Sequence, residues 1–336
     1  LSFYFRFDGN DQNARCIETW GDGGIYYRKL SYDLENNITR MQDSLGHVTE
    51  YHHNQVVPHR IVDPLKNITT IEYNEYAQIV CETNALGFRK TFEYDDFGNT
   101  IKITNPDGGT STMVYDHNHN LVEFEDVVGG KWQYRYNNHN RLIEEIDPLG
   151  SKTVYGYNDV VMTSLTDANQ NQYFLQYDPH LNLRCISNHK GLEVEWRYDS
   201  LGNLVAIRDQ RGHKRVFQHD SLGRVTQIKE PDGNVRSLEY DAEGNVTHYS
   251  DRQVDIQFQY RGMNRLAARS QGGTTAKFEY DTEEQLKAII NEHGEVYRFD
   301  LDPLGNVLSE SGFDGLTRSY LRDALGLARR IQRPGG

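Results

Sequence analysis

Cysteine is nearly absent from this chain. Cys16, Cys81 and Cys185 are the only three, and they stand far apart. That spacing offers neither a disulfide framework nor a cysteine-built metal cluster, and it fits folding in a reducing compartment. Tryptophan is scarce, with three residues, and no apolar run is long enough to cross a membrane. Positive charge is also in short supply: 36 Lys and Arg stand against 49 Asp and Glu, a formal net charge of −13. That deficit argues against a nucleic-acid backbone or an anionic membrane surface as partner, since both attract dense positive charge. No signal-like segment follows Leu1, and the absence of an initiator methionine points to a fragment or a processed product.

What the chain has in quantity is aromatic side chains, with 22 Tyr and 13 Phe in an otherwise polar sequence. They are periodic. Anchors stand at Tyr32, Tyr51 (in loose register), Tyr73, Tyr94, Tyr115, Tyr136, Tyr157, Tyr177, Tyr198, His219, Tyr240, Tyr260, Tyr280, Phe299 and Tyr320. From Tyr73 to Tyr157 every step is 21 residues. A period of this length marks a repeat architecture and overrides any domain count taken from length.

Each unit reads as a hairpin. Two residues before the anchor stands another large apolar residue, as in Phe92, Met113, Tyr134, Tyr155, Trp196, Phe217 and Phe278, with a polar residue between them. That alternation is the mark of a strand with one packed face. Asp or Asn follows the anchor and Gly comes three residues later, as in Asp199 and Gly202, Asp220 and Gly223, and Asp241 and Gly244. A short carboxylate that bonds the backbone and a Gly free to take positive φ make a tight turn. A second strand follows, with packed residues at Leu204 and Ile207 or Val225 and Ile228. Their spacing of three predicts a bulge or a change of face. A second turn, such as "DQRG" from Asp209 or "EPDG" from Glu230, closes the unit. "TEEQLKAII" from Thr282 is the best helical candidate, yet its place in the period predicts a turn and a strand. The pattern predicts an all-β fold: a long antiparallel meander of somewhat fewer than thirty short strands, strongly coiled into a spiral or shell wall. "CIETWGDGGIYYRKLSYD" from Cys16 reads as a lead-in hairpin with Trp20 and Tyr26 packing, so residues 1–31 form a lead-in segment and 32–336 the tandem repeats.

The Tyr-Asp phrase and its period resemble the YD repeats of the Rhs family. The best units are "FEYDDFGNTIKITNPDGG", "WRYDSLGNLVAIRDQRG" and "FQHDSLGRVTQIKEPDG". The resemblance covers about Tyr32 to Tyr320 and extends to toxin-complex C components and teneurins. It implies a cocoon that encloses a variable C-terminal toxin domain, spike-type delivery proteins of a type VI secretion system, and an immunity protein in the producer. It also implies synthesis in the bacterial cytoplasm followed by secretion or delivery into target cells.

Chemistry-bearing residues are few. The family's self-cleavage motif, "DPxGL", is met only in part: Asp302 begins "DPLGN" and Asp323 begins "DALGL". Asp147 begins an ordinary "DPLG" turn, so Asp302 and Asp323 are weak catalytic candidates beside their role as turn residues. His52 and His53 are neighbours on a strand and face opposite ways, while His117 and His119 lack a third ligand, so no metal is expected. No nucleophile elbow, phosphate loop or zinc-protease string occurs, and Glu144 and Glu145 have no evident partner across a cleft. The expected role is non-enzymatic enclosure with no cofactor. The alternatives are a glycan- or surface-binding repeat module, resting on exposed rings, and a self-cleaving aspartyl core. The "NIT" strings at Asn37 and Asn67 give little support to a teneurin-like adhesion role.

Overall fold

The computed structural model describes residues 2–54, 56–191 and 193–333. They fold as one antiparallel sheet of 32 strands. The count exceeds the expectation because residues before Tyr32 also form strands, Phe3–Phe7 and Cys16–Gly21. Strand pairings follow chain order, as a meander with short turns requires. Phe3–Phe7 pairs with Cys16–Gly21 and Ala328–Gln332 pairs with Thr317–Arg322, and each of these outermost strands has a free edge among the described residues. The sheet is therefore unclosed. "TEEQLKAII" is a turn followed by the strand Leu286–Ile290. No helix among the described residues is long and apolar enough to cross a membrane.

The described residues divide into two compact units, one of residues 1–91, 241–247 and 256–336 and one of residues 92–240 and 248–255. Within each, side chains are half-buried far more often than buried. Large residues pair across strands on one face. Trp196 stands opposite Ile207 and Phe217 opposite Ile228, and the rings of Phe124 and Trp132 lie 5.4 Å apart. Such cross-strand pairs are the unit of sheet stabilisation. The other face is charged, with ion pairs such as Lys152–Glu144 at 2.6 Å and Lys102–Glu93 at 2.8 Å.

A bulge explains the spacing of three. Tyr198 pairs with Leu204, but Arg197 pairs with Ala206, so Val205 is the extra residue. The insertion returns Ile207 to the face of Leu204. The same shift recurs at Tyr115 with Leu121, Tyr136 with Leu142, Tyr177 with Leu183 and His219 with Val225. The partner hairpins, such as Leu204–Arg208 with Lys214–His219, run without a shift. A bulge bends its strand and raises the local twist, so bending enters once per repeat.

The residue just past the bulge is where the buried small side chains collect: Cys81, Cys185, Ala206, Ala268 and Ala288. They lie on the charged face, where long side chains cover them with their aliphatic stems. Around Ala206 these are Glu195, Arg197, Arg208 and Lys214. Cys81 and Cys185 are thus free thiols serving as small buried residues.

The bulge also corrects two anchors. In the last two repeats the shift falls at Leu301, opposite Val307, and at Arg322, opposite Ala328. Phe299 and Tyr320 therefore hold the packing slot two residues earlier. The anchor slots are Leu301 and Arg322, which keeps a 21-residue step from Tyr280 onward. Likewise the shift near Tyr51 falls at His53.

Candidate functional site

The repeated feature that joins one hairpin to the next is built on the anchor tyrosine. A bulge interrupts the strand ladder and leaves backbone carbonyls to be satisfied elsewhere. The Tyr240 hydroxyl donates to the carbonyl of Val225 at 2.6 Å, and Val225 opens the bulged strand opposite the preceding anchor, His219. Tyr177 does the same to Met162 at 2.8 Å, Tyr73 to Pro58 at 3.0 Å, and Tyr280 to Leu266 at 3.1 Å. Tyr32 donates to Cys16 of the lead-in segment, at the first bulge, at 2.7 Å. Where Arg322 takes the anchor slot, its Nε donates to Val307 at 2.8 Å. Where it forms, this joint gives the slot a use for Tyr over Phe: the ring packs and the hydroxyl ties the repeat to the one before. Burial foremost raises the hydroxyl pKa of Tyr32, Tyr115, Tyr198, Tyr260 and Tyr280 above the ordinary tyrosine value.

The aspartate that follows most anchors organises the turn. Asp199 Oδ1 accepts from the backbone N–H of Leu201 and of Asn203, both at 2.9 Å, while Oδ2 accepts from the Asn203 amide at 3.0 Å. Gly202 N–H donates to the Asp199 carbonyl, with φ at 86°. Asp95 with Asn99, Asp116 with Asn120, and Asp241 with Asn245 repeat the clamp. Asp220 uses Arg224, whose Nε lies 2.7 Å away. The clamp Asn also reaches the next repeat: Asn99 bonds His119, Asn120 bonds Asn140, and Asn203 packs where a Cβ on Gly223 would stand. In the sequence the same place directly after the turn Gly recurs as Asn99, Asn203 and Asn245, with Arg224 as the variant.

The clamp lowers the carboxyl pKa of Asp95, Asp116, Asp167, Asp178, Asp199 and Asp241, the Asn amide being the largest cause in each. A folded pKa below the unfolded value adds stability that is complete above about pH 4 and lost as pH falls through the folded pKa. The melting temperature should therefore hold from neutral pH down to about pH 5 and then drop. A melting temperature that rises on acidification would contradict the clamp's role.

One turn is also held from outside. Asp281-Thr282-Glu283-Glu284-Gln285 puts Glu284, at φ 53°, in the slot that many turns fill with Gly and others with residues such as Lys66, Ala77, His119 or Leu181. Both glutamates are buried, and residues some 240 positions earlier cover Glu283. Arg28 donates to both oxygens of Glu283 at 2.6 Å, and Ser44 donates to Glu283 Oε1 from its N–H at 2.9 Å and its hydroxyl at 2.5 Å. Tyr26 N–H donates to the Thr282 carbonyl at 2.9 Å. Beside this seam, Glu284 Oε1 accepts from Met263 N–H at 2.6 Å. A Cβ on Gly262 would run into that carboxylate, and its φ of 54° also favours glycine. Burial works against the charge of Glu283, but the hydrogen bonds from Arg28 and Ser44 outweigh it and hold its pKa below the glutamate range.

The remaining candidates are placed as follows. Asp302 accepts from Leu304 and Asn306 N–H at 2.8 and 2.9 Å, and Asp323 from Leu325 and Leu327 N–H at 2.9 and 3.0 Å. Both thus sit in the turn geometry of Asp199. Burial opposes the charge of Asp323, yet those N–H groups and Arg329, 2.6 Å away, keep its pKa low. Of the histidines, His52 lies 3.1 Å from Arg60 and His53 lies 3.1 Å from Thr39. No group of three metal-ligating side chains occurs among the described residues. Glu144 is occupied by Lys152, and Glu145 accepts from the Tyr155 hydroxyl at 3.2 Å.

Residues 192–310 match the family described as Teneurin YD-shell, and residues 115–152 match RHS Repeat. No curated protein matches the chain. Among solved structures it is similar to the crystal structure of TcdB2-TccC3-TEV, with a TM-score of 0.82 and 14% identity over 98% of this chain and 21% of that one. It is similar to TcdB2-TccC3 without its hypervariable C-terminal region, with a TM-score of 0.80 and 14% identity over 97% and 21%. The Tc holotoxin pore of Photorhabdus luminescens gives 0.75 and 14% over 95% and 21%. At that identity the likeness is one of fold, and the chain spans about a fifth of the length of these structures.

Proposed function

Since this chain is a YD-repeat protein of the Rhs family, we propose that it forms part of an encapsulating wall. In this reading it encloses a C-terminal effector and keeps it from the producing cell until delivery. The observation that carries this is the spread of the aspartate turn clamp along the chain. An enzyme gathers its perturbed titratable groups in one cleft. Here the lowered aspartates of the clamp recur from turn to turn, and each of them is engaged in holding its own turn. A TcdB2-TccC3 structure described as lacking a hypervariable C-terminal region offers the analogy of a constant wall beside a variable part.

The expected partners are the enclosed toxin domain, spike-type type VI delivery proteins and an immunity protein. Production is in the bacterial cytoplasm, before secretion or delivery. We read Asp302 and Asp323 as turn residues here, because their carboxylates are held by the same N–H groups as those of the other turns.

Protease digestion of the native gene product tests the reading. The effector is expected to survive while the repeats are folded and to be degraded once denaturant opens them. Degradation at the rate of the isolated effector, with the repeats intact, would overturn it.

A further inference from the structure

The seam is held differently from the rest of the sheet. Strand ladders rest on backbone groups, which gain and lose no proton, and each turn clamp joins residues of its own turn. At the seam, bonds from residues distant in sequence converge on one carboxylate. The Arg28 guanidinium gives Glu283 two of them, and the N–H and hydroxyl of Ser44 give two more. Thr282 adds the carbonyl that accepts from Tyr26 N–H and a hydroxyl 2.7 Å from that of Ser44. All of these residues lie in one compact unit.

Every group aimed at the Glu283 carboxylate is a donor. A proton placed there would face those donors, and the one acceptor among them, the Ser44 hydroxyl oxygen, would have to give up its own donation. Arg28 would keep its charge, since a guanidinium does not deprotonate. The other charged groups nearby are already engaged. Asp43 accepts from Leu45 and His47 of its own turn, Asp281 accepts from the N–H of Glu283 and Gln285, and Arg265 lies 3.4 Å from Glu284 and 3.5 Å from the Tyr26 hydroxyl.

We infer that Glu283 makes the seam a latch that acid releases: one proton removes the acceptor of four bonds, while the strand ladders keep theirs. Burial opposes the charge of Glu283, but the bonds from Arg28 and Ser44 hold its folded pKa below the ordinary glutamate value. The seam is therefore at full strength above about pH 4.3 and weakens as pH falls through the folded pKa. One proton taken up on opening raises the opening constant by up to about tenfold per pH unit.

Hydrogen exchange on the full chain, corrected for the intrinsic rate at each pH, tests this. Tyr26 N–H is the reporter, because its acceptor is a carbonyl that does not titrate. Asn74 N–H is the reference: it bonds the Gln78 carbonyl at 3.0 Å in a turn that has Asn in place of Asp. Protection of Tyr26 holds from neutral pH to about pH 4.3 and then falls relative to Asn74. Glu283→Gln, a neutral stand-in for the protonated acid, lowers Tyr26 protection about tenfold or more at neutral pH and removes the acid response. Arg28→Met/Glu283→Leu keeps Tyr26 protected and shows no acid response of its own. Glu284→Gln, which leaves the four bonds in place, responds to acid as the wild type does. Tyr26 protection that follows Asn74 throughout the acid range overturns the inference. So does wild-type protection in Glu283→Gln at neutral pH, an acid response that survives in Arg28→Met/Glu283→Leu, or one that Glu284→Gln abolishes.

Discussion

Replacing Arg28 with Ala should open the seam. Glu283 would keep its two bonds from Ser44 but lose the guanidinium that balances its charge. Its side chain is 7% exposed and that of Arg28 24%, so water offers limited compensation. Removing one partner of a buried pair costs about 3–5 kcal/mol, and the partial exposure of Arg28 brings the expectation to about 2–4 kcal/mol. The amides of Tyr26 and Ser44 report the opening directly, since both donate across the seam. Their hydrogen exchange should quicken by a factor between about thirty and a thousand, at 1.4 kcal/mol per tenfold. Replacing both partners, as Arg28→Met with Glu283→Leu, should recover much of the loss, because an apolar pair strands no charge. Additive effects in that double-mutant cycle would show that the two residues do not act together.

The second large effect is expected at the joints. Tyr73→Phe, Tyr177→Phe and Tyr240→Phe each keep the ring and remove the hydroxyl that ties the bulge carbonyl of the preceding repeat. A hydrogen bond of this kind contributes about 0.5–1.5 kcal/mol. The three sites share no partner, so the triple variant should lose about 2–4 kcal/mol in denaturant unfolding. Tyr76→Phe is the control: its ring stands 77% exposed at a turn tip, and the change should stay within about 0.5 kcal/mol. A triple variant as stable as the wild type would mean that packing alone explains the tyrosines.

The strands, the period and the turns could be read from the sequence because they rest on local rules: alternation, a short carboxylate, and Gly at positive φ. The spacing of three between Leu204 and Ile207 predicted a bulge or a change of face, and pairing across the ladder decided for the bulge. What the bulge leaves unsatisfied could not be read, because the donor, Tyr240 for Val225, arrives 15 residues later from the next hairpin. The rings of Phe299 and Tyr320 mimic anchors, whereas the Asp that follows the slot is the more faithful guide and points to Leu301 and Arg322. The seam was the least legible part. Arg28 and Glu283 lie 255 residues apart, and no local rule joins them.

Electron microscopy of the native gene product that contains this chain bears most directly on the enclosing role. The account predicts effector density bounded by the repeat sheet. Effector density outside the sheet, freely open to solvent, would contradict it.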